Sequence, residues 1–299
     1  MQWKVLEVNS DGQYLSKYRG FLVLKLAREE QARIPLADLN SVIISSNNAT
    51  LSKQIMCSLA EHKVPLVLCG SDYLPQSITL PYGKHHRFKK ILDAQISSTA
   101  AIKKRLWQSL VCAKIKNQHR VMCINGKDEP GRRLWELAKK VKSGDVTNVE
   151  AQAAKHYWKH FCENRFYRNP NKRDDINILL NYGYIILRSA CARALVSAGM
   201  LPALGLAHKN IYNPFCLVDD LMEPFRPMVD QLVLEIINSG ATQLTPSSKQ
   251  LLAKVLTKTM FDGSKKTIVS EAIQKLAFSL SKSFQTKKVV LEFCEVPID

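Results

Sequence analysis

The sequence predicts an α+β fold, with a β-rich N-terminal domain followed by a larger all-α C-terminal lobe. Three observations carry that reading. Up to about residue 80, short runs of β-branched and apolar residues alternate with turn residues. Beyond about residue 88, apolar residues recur at helical spacing. Between them, residues 81–90 (PYGKHHRFKK) break both patterns with a proline, a glycine and a run of bases. The boundaries expected are therefore residues 1–82, a basic linker at 83–90, and residues 91–299. A chain of 299 residues with 46% hydrophobic composition can bury a full core, in one large domain or two ordinary ones.

Taken in order, residues 3–8 alternate as a strand, Ser10-Asp11-Gly12 is a turn, and FLVLKL at 21–26 resumes the sheet. Residues 34–39 and 41–45 add one or two strands. Thr50 is placed to cap a short helix whose one face carries Leu51, Ile55, Met56 and Leu59. Residues 64–68 (VPLVL) and 77–80 supply further strands. In the helical part, residues 91–117 form the first long helix, GKDEPG at 126–131 breaks the pattern, and residues 132–142 resume it. Another helix opens near Thr147 and is ended by Pro170, before a polar RNPNKRDD loop. Residues 176–198 form the next, closed by Gly199. Helices near 228–238, 246–260 and 267–284 complete the lobe, and the last ten residues read as an added strand or a loose tail.

Lys and Arg outnumber Asp and Glu by 43 to 26, a formal charge of +17, which predicts attraction to a polyanion. The bases are spread through the chain and interleaved with aromatics. That favours nucleic acid over the anionic lipid surface that a polybasic tail would address. No stretch reaches the roughly 18–20 apolar residues that span a bilayer. The longest, residues 176–206, is interrupted by Arg188 and Arg193. The sequence goes from Met1-Gln2-Trp3-Lys4 straight into a strand pattern, without the features of a signal peptide. Eight cysteines without a CxxC pair suit buried thiols in a reducing cytoplasm.

Residues 205–230, GLAHKNIYNPFCLVDDLMEPFRPMVD, gather the residue types that do chemistry. His208 precedes an acidic turn of Asp219, Asp220 and Glu223. Arg226 follows, with Pro224 and Pro227 stiffening the backbone. Imidazole with carboxylate suits a transition metal or a mixed Mn/Mg site, and an arginine beside it can pair with a phosphate oxygen. The same residues also fit a solvated turn and a helix start. A further acid should come from elsewhere, and Glu150 in TNVEAQAAKHYWKHF is the best candidate. Spacing alone favours another reading of it, in which Thr147 and Glu150 make a capping box. His156 and His160 lie one turn apart, but the glutamate of the zinc-protease motif is missing between them.

Three blocks in order carry a family resemblance: Glu150-Ala151 opening a helix, LLNYGYIILR at 179–188, and Gly205-Leu206-Ala207-His208 running through DLMEPFRP at 220–227. With them the sequence resembles the CRISPR-associated spacer-acquisition integrase/endonuclease family, Cas-one, most like members from type II loci. The likeness extends over essentially the full length. It implies that Glu150, His208 and Glu223 bind Mg2+ or Mn2+ and are catalytic, with Asp220 and Arg226 as close support. It also places Asn181 and Tyr182 near the DNA strand being joined. It implies an N-terminal dimerisation domain, a helical catalytic and DNA-binding lobe, and a homodimer that joins the Cas-two protein in a heterohexameric complex. Double-stranded DNA, as spacer precursor and as CRISPR repeat, would be the substrate, in a prokaryotic cytoplasm and with no membrane involved. Lys84, Arg87, Lys89, Lys90, Arg165, Arg168, Lys172 and Arg173 are then candidate contacts to the DNA backbone. Two other functions remain open at this point: a stand-alone metal-dependent nuclease, and a non-catalytic architectural DNA binder.

Overall fold

The computed structural model describes residues 4–70, 75–81, 87–162, 166, 168, 169, 172 and 174–298. The chain divides into two compact units, Met1–His86 and Arg87–Asp299. The first is strand-rich and the second is mostly helical, as the α+β reading expects.

In the first unit, β1 (Lys4–Val8), β5 (Leu39–Ile44), β7 (Leu66–Cys69) and β8 (Pro75–Thr79) form one sheet in the order β1-β5-β7-β8. Its first three strands are parallel and β8 is antiparallel. A second sheet runs β4-β3-β2-β6, from β2 (Gln13–Tyr18), β3 (Phe21–Leu26), β4 (Glu29–Pro35) and β6 (Ala49–Leu51). All six residues of β5 are buried, which is why its sequence reads as an unbroken apolar run with no alternation. Leu15, Leu22, Leu24, Leu39, Val42, Ile44, Ile55 and Leu59 belong to one core that ties both sheets to helix α1 (Lys53–Glu61). Ser52, not Thr50, caps α1, its side chain accepting from the Ile55 amide, because Thr50 is taken up in β6.

The second unit is built on two long helices, α3 (Ala100–Ile124) and α6 (Asp175–Ser197). Ahead of them stands α2 (Phe88–Ile96), and between them lie α4 (Asp128–Lys139) and α5 (Val149–Phe161). After α6 come α7 (Cys216–Met222), the 3-10 turn Glu223–Phe225, α8 (Arg226–Asn238), α9 (Pro246–Ala253) and α10 (Val269–Thr286). Helix α6 packs against α7, α8, α9 and α10, and so is apolar on nearly every side. Its contact with α8 depends on Gly183, where a Cβ would stand 2.4 Å from Val229 Cγ1.

Three local expectations are corrected, and one left open is decided. Helix α4 runs through Pro130 and Gly131, because Pro130 falls in the first turn, whose amides have no intrahelical acceptor. Helix α5 stops at Phe161, well before Pro170. Where residues 246–260 and 267–284 read as uninterrupted helices, a two-stranded hairpin intervenes, β9 (Thr259–Asp262) with β10 (Lys265–Ile268). The C-terminal residues are held: Glu295 bridges Phe261, and the Val296 amide donates to Asn117 Oδ1 at 3.2 Å.

Candidate active site

All the groups of the site lie in the second unit, on four of its segments. At the start of α5, Asn148 adopts a left-handed conformation without capping by its side chain. The Asp145 carboxylate takes over that task, accepting from the amides of Val149 (2.8 Å) and Glu150 (2.9 Å). The capping box therefore does not form, and the Glu150 side chain is released toward the interior.

His208 is fixed by a loop whose anchors come from both ends. Buried Gln95 on α2 donates to the carbonyls of Leu201 (3.0 Å) and Leu204 (3.2 Å) and accepts from the Leu201 amide (3.0 Å). Gly205 then passes where no side chain fits: a Cβ would lie 2.4 Å from the His208 carbonyl and 3.0 Å from Asp220 Oδ2. The fully buried Asp220 carboxylate gathers the Leu206, Ala207 and His208 amides at 2.5, 3.3 and 3.2 Å, and His208 Nδ1 at 2.7 Å. A carboxylate only accepts, so Nδ1 carries the proton and Nε2 is the nitrogen left for another partner. That hydrogen bond is the main reason the imidazole pKa is raised; burial opposes it. Asp219 faces elsewhere, gripped by Arg188 at 2.7 and 2.9 Å and by Asn213 at 2.7 Å. It braces the loop and is not part of the site.

Glu223 sits in the turn between α7 and α8. Arg226 donates from Nε to Glu223 Oε1 at 2.8 Å, and Lys114 of α3 stands 2.5 Å from Oε2. The same Lys114 ammonium donates to Glu150 Oε1 at 2.6 Å. Burial pushes the Glu223 carboxyl up, but Arg226 and then Lys114 overcome it and hold the group ionised, well below the usual range. Lys114 likewise stays charged: burial would lower its pKa, and the two glutamates raise it. Three residues along the same face of α3, Asn117 donates to the Pro224 carbonyl at 2.8 Å. One helix thus holds both carboxylates and the turn that carries one of them. Side-chain exposure is 5% at Glu223, 11% at Lys114, 25% at Glu150 and 43% at His208, so Glu223 and Lys114 lie deepest and His208 is the most open of the four.

Tested against a divalent cation, the donor set fits in kind: two carboxylates and an imidazole nitrogen, the last oriented by a carboxylate behind it. Glu223 Oε2 is met by the ammonium of Lys114 at 2.5 Å. No three His, Cys, Asp or Glu side chains among the described residues close on one point as they stand. The position between Glu150 and Glu223 belongs to a cation, and here that cation is the ammonium of Lys114.

The other predicted residues are placed as follows. Asn181 accepts from Arg168 at 2.7 Å, and Tyr182 is buried on α6 with the Lys249 ammonium 5.5 Å above its ring. Arg168 is also committed to Asn177 at 2.6 Å and stacks on Tyr184, so its guanidinium is used internally. Lys89 pairs with Asp93 and Lys172 with Asp174, both largely exposed, while Arg87 and Lys90 are exposed at the start of α2. Lys84, Arg165 and Arg173 lie outside the described residues. Behind the site, Tyr157 and Tyr184 donate to a buried Asp230 at 3.1 and 2.5 Å.

The family description "CRISPR associated protein Cas1" matches residues 6–272. The chain belongs to the Cas1 family. It is 39% identical over 258 residues to the CRISPR-associated endonuclease Cas1 of Neisseria meningitidis serogroup C (strain 8013), covering 86% of this chain and 84% of that one. In fold it is similar to a casposase bound to integration product, with a TM-score of 0.81 at 22% identity over 99% of this chain and 95% of the other. It is also similar to the Cas6-RT-Cas1--Cas2 complex, with a TM-score of 0.76 at 19% identity over 99% of this chain and 36% of that longer one. The resemblance read from the sequence is thus confirmed at the level of family and fold.

Sequence reasoning missed four residues around this Cas1 site: Lys114, Asn117, Asp145 and Gln95. For Lys114 a signal existed. It falls on the stripe of Trp107, Leu110, Val111, Gln118 and Val121, a buried face where a lone charge requires partners. Asp145 caps amides only four and five residues on, whereas Asn117 and Gln95 act through backbone atoms that only the fold brings near them.

Proposed function

We propose that this chain is a divalent-metal-dependent DNA integrase and endonuclease that joins the 3′-hydroxyl ends of spacer DNA into a CRISPR repeat by in-line transesterification. The observation that carries the reading is the convergence of Glu150 and Glu223 on one buried cation position, with His208 near enough to Glu223 for each to feel the other's charge. Membership of the Cas1 family, whose Neisseria relative is called an endonuclease, supports the same reading.

Glu150, Glu223 and His208 Nε2 would hold Mg2+ or Mn2+, which when bound polarises the phosphodiester and lowers the pKa of the attacking hydroxyl. The chain itself does the positioning. Asp220 fixes the imidazole so that Nε2 faces away from the carboxylate. Arg226 keeps Glu223 ionised and oriented. A DNA 3′-hydroxyl as nucleophile gives strand joining and water gives cleavage, so one site accounts for both activities.

The charge of +17 suits the DNA backbone, with Arg87, Lys89, Lys90 and Lys172 at the surface to meet it. In this reading residues 1–82 mediate dimerisation, residues 83–90 link, and residues 91–299 bind and join DNA. The similarity to a complex containing Cas2 supports a Cas2 protein as partner; in this reading the two form a heterohexamer that acts on double-stranded DNA. No helix among the described residues is long and apolar enough to cross a membrane, and the proposed place of action is the cytoplasm.

The test is strand transfer of a labelled duplex with free 3′-hydroxyls into a supercoiled plasmid carrying a CRISPR array, with the Cas2 partner and with Mn2+ or Mg2+. Metal-dependent joined product is expected for the wild type and not for His208→Ala. Cleavage without joining would replace the integrase by a stand-alone nuclease, and binding without chemistry by an architectural protein.

A further inference from the structure

Lys114 poses a problem that the proposed chemistry does not use. It is a lysine on the apolar face of a helix, 11% exposed, between the two carboxylates proposed to bind metal. An ammonium at that depth is tolerated only with full compensation, which it receives from Glu150 at 2.6 Å and Glu223 at 2.5 Å. The benefit is mutual. Two carboxylates facing one point repel each other, and a cation between them offsets that repulsion.

The contacts also differ in kind. Arg226 binds Glu223 through Nε in a well-formed hydrogen bond to Oε1, which need not change if another cation arrives at Oε2. The Oε2 contact is an ion pair with the Lys114 ammonium at 2.5 Å. A lysine has a flexible four-carbon stem and a point charge, so it can retract where the rigid fork of an arginine could not. A divalent ion and an ammonium cannot share a position, since like charges at contact distance are strongly disfavoured.

We propose that Lys114 is an internal counter-cation: its ammonium holds the position between Glu150 and Glu223, and a divalent ion must displace it to bind. The side chain holds the two carboxylates aimed at one position before metal arrives, and it sets the metal concentration at which the site fills. This inference rests on the metal reading of Glu150, His208 and Glu223.

The experiment follows thermal unfolding of the full chain during titration with Mn2+, in wild type, Lys114→Met, Lys114→Arg and His208→Ala. Lys114→Met should lower the metal-free midpoint, because two buried carboxylates lose their cation. It should also reduce the Mn2+ concentration for half-maximal stabilisation by about tenfold or more. A residue that only supported packing would weaken both. Lys114→Arg keeps the charge on a stiffer head and should raise the Mn2+ requirement, which keeps the proposal testable if the methionine variant does not fold. Stabilisation by Mn2+ in the wild type, absent in His208→Ala but no easier to reach in Lys114→Met, overturns this inference alone. So does a lower requirement in Lys114→Arg. Stabilisation in neither wild type nor Lys114→Met overturns it together with the metal reading.

Discussion

Glu223 and Asp230 stand seven residues apart in one turn and helix, exposed to only 4% and 1%, and burial acts on both in the same direction. Their neighbours send them to opposite ends. Glu223 is flanked by the Arg226 guanidinium and the Lys114 ammonium and stays ionised. Asp230 receives two neutral hydroxyls, from Tyr157 and Tyr184. Burial lifts its pKa to about 6, although the hydroxyls and more distant arginines pull downward. A buried acid surrounded by full charges is held ionised by them. A buried acid satisfied by hydroxyls is a packing device that ties α5, α6 and α8 together. Burial alone does not mark a functional carboxylate; the charge of its partners does.

The contrast can be broken most decisively by Glu223→Ala. Strand joining should fall by about 10²–10³-fold or more, the scale set by losing one preorganised group at the reacting centre. Duplex binding in a gel-shift titration should be nearly unchanged. Equal loss of both would remove Glu223 from the chemistry.

Asp230→Asn should leave joining at neutral pH within a few-fold of wild type but change the pH dependence of stability. The folded protein holds the Asp230 proton up to about pH 6, against 3.8 for the ordinary group, so it binds more protons than the unfolded chain between those values. Stability contributed by that proton is complete at low pH and is lost as the pH rises through this window, by on the order of 3 kcal/mol. Urea unfolding at about pH 4 and about pH 7 should show this loss in the wild type and not in Asp230→Asn. If Asp230→Asn abolishes joining as Glu223→Ala does, the two acids share a role and the distinction fails.

Tyr157→Phe is the mildest change. Deleting one hydroxyl should cost about 1 kcal/mol and move the pH window of Asp230 upward, because the lost hydrogen bond lowers its pKa. An unmoved window in the same urea series would assign the hydroxyl no electrostatic part.

His208, Asp220 and Glu223 were legible in the sequence because they lie within one short segment, where acid, base and proline cluster visibly. Glu150 was legible only through the family resemblance, since its local spacing spelled a cap that Asp145 in fact provides. The β-hairpin at 259–268 went unread although Asp262-Gly263 is a turn signal, because its four-residue strands are short beside the helical patterns that flank them. Tyr182, expected near DNA, reads identically whether it faces a ligand or the core, and only packing puts it inside.

By itself, then, the sequence determined what depends on local order: strand and helix periodicity, the change of pattern near residue 88, the basic excess, and the acid–histidine segment. These follow from the chemistry of neighbouring residues and need no knowledge of what lies across the fold. The tertiary structure decided which charges meet. Lys114 is 36 residues from Glu150 and 109 from Glu223, and no local rule could pair them. They meet because α3 buries an apolar face that also carries one ammonium, and burial compels that ammonium to find its carboxylates.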